Sequence, residues 1–217
     1  KSFSGDYVVG NSTGQTFSPD IARKMSQVDG VTQVVRQRYG VGLLNGERQF
    51  LGAIDPAGFG SVVKVDTYEG DIGDFKDGTL VVDRTWAEGK SLHPGSEVTI
   101  ALPSGKETFT VAAVVEPDPL LFLPAMTIDD LAAAGFPKQD AMLLIAADGD
   151  RLQALQDVVK DNPLVIVNDQ AGLIKQQNDQ ANQGLLMIYG LLALALIIAV
   201  LGIVNTLVAS TLDRRRE

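Results

Sequence analysis

Residues 97–115 read EVTIALPSGKETFTVAAVV, and this stretch decides the class of the fold. Glu97 to Leu102 and Glu107 to Val115 are two strand-like runs on either side of Pro103-Ser104-Gly105-Lys106, a turn sequence that predicts a hairpin. In the second run Phe109, Val111, Ala113 and Val115 alternate with Thr108, Thr110, Ala112 and Val114. Period-2 alternation puts one face of a strand into a core. The centre of the chain is therefore β-rich.

Working outward, Thr79 to Asp83 reads as a short strand, followed by a helical stretch around Trp86. Further upstream, Asp6 to Val9 predicts a strand that enters a polar loop at Asn11 to Gln15. Ser18-Pro19-Asp20 is a helix start, with a capping hydroxyl, Pro at the first helical position and an acid in the first turn. Ile21, Met25 and Val28 share a face, and Gly30 ends the helix. Val31 to Val41 and Arg48 to Ile54 predict strands joined by an Asn45-Gly46 turn.

Downstream, Glu116 to Pro124 carries three prolines and reads as a crossing between subdomains. Thr127-Ile128-Asp129-Asp130 opens a helix that closes at Gly135, and Ala141 to Ala147 is a buried strand. Arg151 to Lys160 is a helix with Leu152, Leu155 and Val159 on one face, stopped by Asn162-Pro163; Leu164 to Val167 is the next strand. Helix is expected from Asp169 onward. No fixed-period repeat and no low-complexity segment appears in the sequence. This arrangement predicts an α+β body in two parts, one inserted into the other.

The tail changes the setting. From Gln180 to Leu212 there is no charged residue, and Leu185 to Val204 reads LLMIYGLLALALIIAVLGIV. About twenty residues at ~1.5 Å rise span about 30 Å, the thickness of a bilayer's hydrocarbon core. Arg214, Arg215 and Arg216 follow, where cationic residues mark the cytoplasmic side. Ala195, Ala199, Gly202, Thr206 and Ser210 fall at three- and four-residue steps and line one face, with Asn205 beside them. Small residues on one stripe let another helix approach in lipid, and a polar amide there favours protein over acyl chains. Between body and span, Asp169 to Gly184 is a polar stalk. A rigid helix there would carry movement to the membrane surface.

The net charge is −9, with no Cys and a single His. The segment from Leu185 to Glu217 holds three Arg against Asp213 and Glu217, net +1, which leaves the body before it at −10. An acidic body argues against nucleic acid, because phosphate binding needs clustered Lys and Arg. With no Cys there is no disulfide scaffold, thiolate zinc site or Cys nucleophile. No basic-then-apolar leader opens the chain at Lys1, so a removed leader or an earlier transmembrane helix is expected to deliver the body. The chain reads as a piece of a longer polypeptide.

Enzyme motifs fail on spacing. Gly89-Lys90-Ser91 resembles the end of a phosphate-binding loop, but the position of its first glycine holds Arg84. Gly40-Val41-Gly42 lacks the third glycine of a dinucleotide fingerprint, and no Gly-x-Ser-x-Gly elbow is present. His93 sits in the turn sequence Leu92-His93-Pro94-Gly95 and reads as an exposed turn residue. Asp66, Glu69, Asp71, Asp74 and Asp77 miss the EF-hand spacing and read as a solvated acidic loop. No catalytic, cofactor or metal residues are assigned.

The C-terminal segment from Leu185 to Glu217, with Gly202-Ile203-Val204-Asn205 and the ending Asp213-Arg214-Arg215-Arg216-Glu217, resembles the transmembrane helix after the extracytoplasmic domain of MacB/FtsX-like ABC transporter permeases. The segment from Thr79 to Pro119, with Leu92, Gly95 and Val98 in a Leu-x-x-Gly-x-x-Val turn, resembles the same family's periplasmic core domain. The resemblance implies a porter-like βαβ subdomain from 1–78 and 117–168, an inserted β-rich subdomain at 79–116, a helical stalk at 169–184, a transmembrane helix at 185–212 and a cytoplasmic basic end at 213–217. It also implies a separate cytoplasmic ATPase subunit, further transmembrane helices, a dimer or pseudo-dimer, and a plasma (inner) membrane setting with 1–184 extracytoplasmic. The implied role is to couple ATP hydrolysis to export or to mechanical signalling, with no enzymatic activity in this chain. A single-pass anchored receptor or sensor is the other reading of the same tail.

Overall fold

The computed structural model describes residues 5–59, 62–169, 172, 185 and 187–199, and the chain divides into two units, Lys1–Gln170 and Ala171–Glu217. In the first unit, strand β1 (Tyr7–Asn11) leads to helix α1 (Asp20–Met25) and to the long strand β2 (Val31–Leu44). The second half of the same motif is β9 (Met142–Ala147), α4 (Leu152–Val158) and β10 (Val165–Asp169). These strands lie in the order β10-β1-β9-β2, every neighbour antiparallel. Two βαβ units thus interleave in a ferredoxin-like sheet.

One face of that sheet carries α1 and α4. Ile21, Ala22 and Met25 of α1 and Leu155 of α4 close over Tyr7, Val9, Leu143, Ile145, Val165 and Val167. The predicted capping hydroxyl is used: Ser18 Oγ accepts the Asp20 N–H at 3.2 Å.

Between the halves run β3 (Glu47–Ile54), β4 (Thr67–Gly70), β5 (Thr79–Asp83), α2 (Arg84–Lys90), β6 (Glu97–Leu102), β7 (Gly105–Val115), β8 (Ala125–Thr127) and α3 (Ile128–Ala133). The pairing path β2-β3-β8-β5-β7-β6 returns to β2 through the bridge of Leu43 with Ala101. It encloses a second core that includes Leu51, Leu80, Ile100, Phe109, Val111 and Met126. A small closed sheet fills its interior with side chains in this way. The strand β2 belongs to both sheets. Residues from Val31 to Gln37 pair with β9, and those from Gln37 to Leu44 pair with β3.

Local chemistry explains the joints. Asn45 and Gly46 have φ of 53° and 86°, the left-handed pair that a two-residue hairpin turn requires. Thr127 Oγ1 accepts the Asp130 N–H at 3.1 Å and caps α3. Asp83 caps α2 by accepting the Trp86 N–H at 2.9 Å.

Three boundaries differ from the sequence reading. Asp169, expected to begin the stalk helix, pairs with Tyr7 as the last residue of β10. The acidic stretch holds β4, which pairs with β7 through Thr67, Glu69 and Gly70, so it is only partly a loop. The strand β8, unread in the sequence, takes a three-residue place between β3 and β5. Polar or very short strands have too little periodicity to be read; their partners make them.

In the second unit, residues 187–199 are helical with exposed side chains, among them Ala195 and Ala199. Half of the predicted span at 185–212, residues 186 and 200–212, lies outside the described residues. So do Gly202, Asn205, Thr206 and Ser210, the basic end Arg214, Arg215 and Arg216, and nearly all of the stalk. Among the described residues no helix is long and apolar enough to cross a membrane.

A Cβ at Gly52 would meet the Phe122 carbonyl oxygen at 1.7 Å, whereas one at Gly10 meets nothing within 4 Å. Gly52→Ala should therefore lower stability by about 1–3 kcal/mol or more in urea unfolding, because the crossing strand must lift off β3. Gly10→Ala should stay within about 0.5 kcal/mol of the parent.

Candidate functional site

The most unusual chemistry sits where β2 leaves one sheet for the other. Gln37 and Arg38 are buried there, 1% and 5% exposed, on a strand that is otherwise apolar or glycine from Tyr39 onward. The Gln37 side chain serves the proline-rich crossing. Its Nε2 donates to the Leu120 carbonyl at 2.7 Å, and its Oε1 accepts the Phe122 N–H at 3.2 Å. One amide thus imitates a strand neighbour and holds residues 120–122 against β2.

Arg38 pairs with Asp140, Nε to Oδ1 at 2.7 Å, with the carboxylate fully buried. Asp140 also exchanges two main-chain hydrogen bonds with Phe17, which tie the loop before α1 to the loop before β9. Its second oxygen, Oδ2, has no partner among the described residues. Burial pushes the Asp140 carboxyl above its ordinary value of 3.8, against the hydrogen bond and charge of Arg38 and the charge of Arg36.

On the outer face of the β2–β3 ribbon the apolar character reaches solvent. Tyr39 stacks on Phe50 at 5.4 Å, and both meet Phe122 edge-on at 6.1 and 5.9 Å. Val41, Leu43 and Phe50 are 38%, 44% and 42% exposed. The strand register sets Val41 opposite Phe50, so this is one continuous apolar face. Its inner counterpart is different: Gly40 and Gly42 lie against Phe136 and Ile100 and leave no room for a side chain.

The residues considered in the sequence for chemistry fall elsewhere. His93 is exposed and its Nδ1 lies 2.9 Å from Glu69 Oε2. It shares a cavity of about 260 Å³ with Arg84, whose guanidinium stacks on Tyr68 at 4.2 Å and reaches Glu88 and Glu116. Arg84 is thus committed to neighbouring acids and an aromatic ring. Gly89-Lys90-Ser91 sits at the C-terminal end of α2, with Ser91 in the left-handed region, where the helix dipole repels phosphate. Asp66, Asp71, Asp74 and Asp77 are exposed; Asp71 caps a short turn through the Gly73 N–H, and Asp77 accepts from Thr127 Oγ1 at 2.6 Å. Among the described residues no cluster of His and carboxylates could hold a metal ion.

Sequence reading missed Gln37, Arg38, Asp140 and Phe122. The available signal was the run Arg36-Gln37-Arg38 inside an apolar strand, since a buried polar residue must find a partner.

No family model and no curated protein matches the sequence. Solved structures do match the fold. The periplasmic region of MacB from Actinobacillus actinomycetemcomitans superposes with a TM-score of 0.57 at 12% identity, over 82% of this chain and 94% of that one. The extracellular domain of the noncanonic ABC-type transporter YknZ from Gram-positive bacteria gives 0.53 at 16% identity, over 76% and 98%. A domain of a permease protein from Porphyromonas gingivalis gives 0.52 at 12% identity, over 78% and 90%. The body is an α+β domain with the MacB-like periplasmic fold.

Because the folded pKa of Asp140 is raised, the native state holds its proton more tightly than the unfolded chain. Its contribution to stability is lost as pH rises from 3.8 through the raised value. Arg38→Met strands the buried carboxylate and should cost about 3–5 kcal/mol at neutral pH by urea unfolding. The deficit should narrow on acidification, as the carboxyl takes up a proton. A deficit independent of pH would mean that lost packing, and not the stranded charge, is responsible.

Proposed function

We propose that this chain is the extracytoplasmic domain and adjoining transmembrane segment of an ABC transporter permease. The observation that carries this reading is the extent of the fold likeness. The chain covers 94% of the MacB periplasmic region and 98% of the YknZ extracellular domain, so both parts of the body are matched together. The uncharged tail from Gln180 to Leu212 supplies the second support, since it comes soon after the body and is followed by Arg214, Arg215 and Arg216.

In this reading 1–78 and 117–168 form the porter-like part and 79–116 the inserted β-rich part, with the stalk at 169–184 transmitting movement to the helix at 185–212. ATP hydrolysis occurs in a separate cytoplasmic subunit, and the domain moves in response, exporting a substrate or signalling mechanically across the plasma membrane. The stripe Ala195, Ala199, Gly202, Thr206 and Ser210, with Asn205, packs on other helices of the same permease, within a dimer or pseudo-dimer.

The parent protein purified in detergent should bring a nucleotide-hydrolysing subunit with it. Its absence from a stable, folded preparation would favour the anchored-sensor reading instead. Within that assembly, Gly202→Leu should reduce recovery of the complex, because a bulky side chain separates helices that a small residue lets touch. Unchanged assembly would place the stripe against lipid.

A further inference from the structure

The strand β2 has an open edge in the middle of the sheet. On one side it is paired with β3 along its whole second half, in unbroken register from Gln37 to Leu44. On the other side β9 pairs only as far as Gln37, and β6 pairs only at Leu43. Three observations fix which way each main-chain group points. The Asp55 N–H donates to the Arg36 carbonyl at 3.3 Å, so Arg36 faces β3. The Ala141 N–H donates to the Gln37 carbonyl at 2.8 Å, so Gln37 faces β9. The two-residue turn at Asn45 and Gly46 closes Leu44 against Glu47, the hydrogen-bonded pair of such a hairpin. Antiparallel residues alternate in direction, so Arg38, Gly40 and Gly42 serve β3, while Tyr39 and Val41 turn their N–H and C=O groups to the other side. Among the described residues none pairs with those outward groups.

They face a cavity of about 330 Å³. Phe136 and Pro137 form its apolar wall. Thr16 and Gln139 line it as well, held together by a 2.6 Å hydrogen bond from Thr16 Oγ1. The segment from Gly135 to Asp140 passes from the end of α3 to the start of β9 without main-chain pairing to β2. Pro137 has no N–H with which to do so.

We propose that this gap is a docking slot for an extended peptide segment of a partner polypeptide, bound by strand addition. Main-chain donors and acceptors spaced two residues apart are the recognition pattern of a β-strand, and about three extended residues would satisfy all four groups. The wall of Phe136 and Pro137 and the neighbouring apolar face of Val41 and Phe50 select β-branched or aromatic side chains. The lining carries no charged side chain, and the body before Leu185 is acidic at −10, so an acidic segment is disfavoured. Because the slot is a matter of backbone geometry, it exists whether or not the domain serves a transporter.

Amide hydrogen exchange on the full chain tests this. In the free protein, Gly40 and Gly42 should be protected by β3 while Tyr39 and Val41 exchange fast. Adding a capped peptide of alternating threonine and valine should slow Tyr39 and Val41 by about tenfold or more, with little change at Gly10. Val41→Pro removes one outward donor and leaves the β3 ladder intact, so it should abolish that effect while the urea midpoint is retained. Three results would overturn the proposal: protection of Tyr39 and Val41 already present in dilute free protein, protection that grows with protein concentration and so reports a second copy, or no response to millimolar peptide. The first two can be read on the unmodified chain even if the proline variant fails to fold.

Discussion

One strand serves two sheets, and the rest of the structure depends on it. The fourteen residues of β2 begin in a ferredoxin-like layer and end in the wall of a small closed sheet. Two cores that would otherwise be joined only by loops therefore share a rigid backbone. Such a strand must change neighbours part of the way along, and main-chain groups at the change would be left unpaired. Gln37 and Arg38 stand at that point. A buried amide and a buried ion pair are costly to bring out of water; here the amide gives Leu120 and Phe122 the main-chain pairing that no strand supplies, and the ion pair ties β2 to the loop before β9.

The glycines follow from the same constraint. At Gly52 the crossing chain comes so close that only a hydrogen fits, and at Gly40 the ring of Phe136 occupies the space of a side chain. The β2–β3 ribbon thus packs tightly on its inner face and carries its aromatic residues on the outer one. Tyr39, Phe50 and Phe122 gather there because the inner face has no room for them. The exposed apolar face is a consequence of the way the two sheets are joined.

The junction is held differently from the cores on either side of it. Residues 16–17, 120–122 and 139–140 gather beside the middle of β2, where they are held by a few hydrogen bonds and one ion pair rather than by long ladders. Each core is internally well packed, with fully buried side chains such as Leu80, Ile100 and Met126 in one and Met25, Leu143 and Leu155 in the other. Tight packing transmits displacement with little loss.

Much of the local architecture was legible in the residues themselves. The hairpin at 97–115, the Asn45-Gly46 turn and the cap at Thr127 follow from turn chemistry and alternation, which act over a few residues. Strand β4 was not readable, because Thr67 to Gly70 is polar and becomes a strand only through β7. The carboxylate of Asp140 was not readable either: its partner Arg38 is distant in sequence, and nothing in the Gln-Asp-Ala context marks it as buried. Sequence alone determined most of the element types, the two-part α+β character and the uncharged tail, since each depends on local side-chain pattern. Only the tertiary structure decided that β2 is shared, that Gln37 and Arg38 are buried and that Tyr39 and Val41 face an open edge. Pairing across long sequence separations is set by which surfaces can be buried together, and no local pattern encodes that.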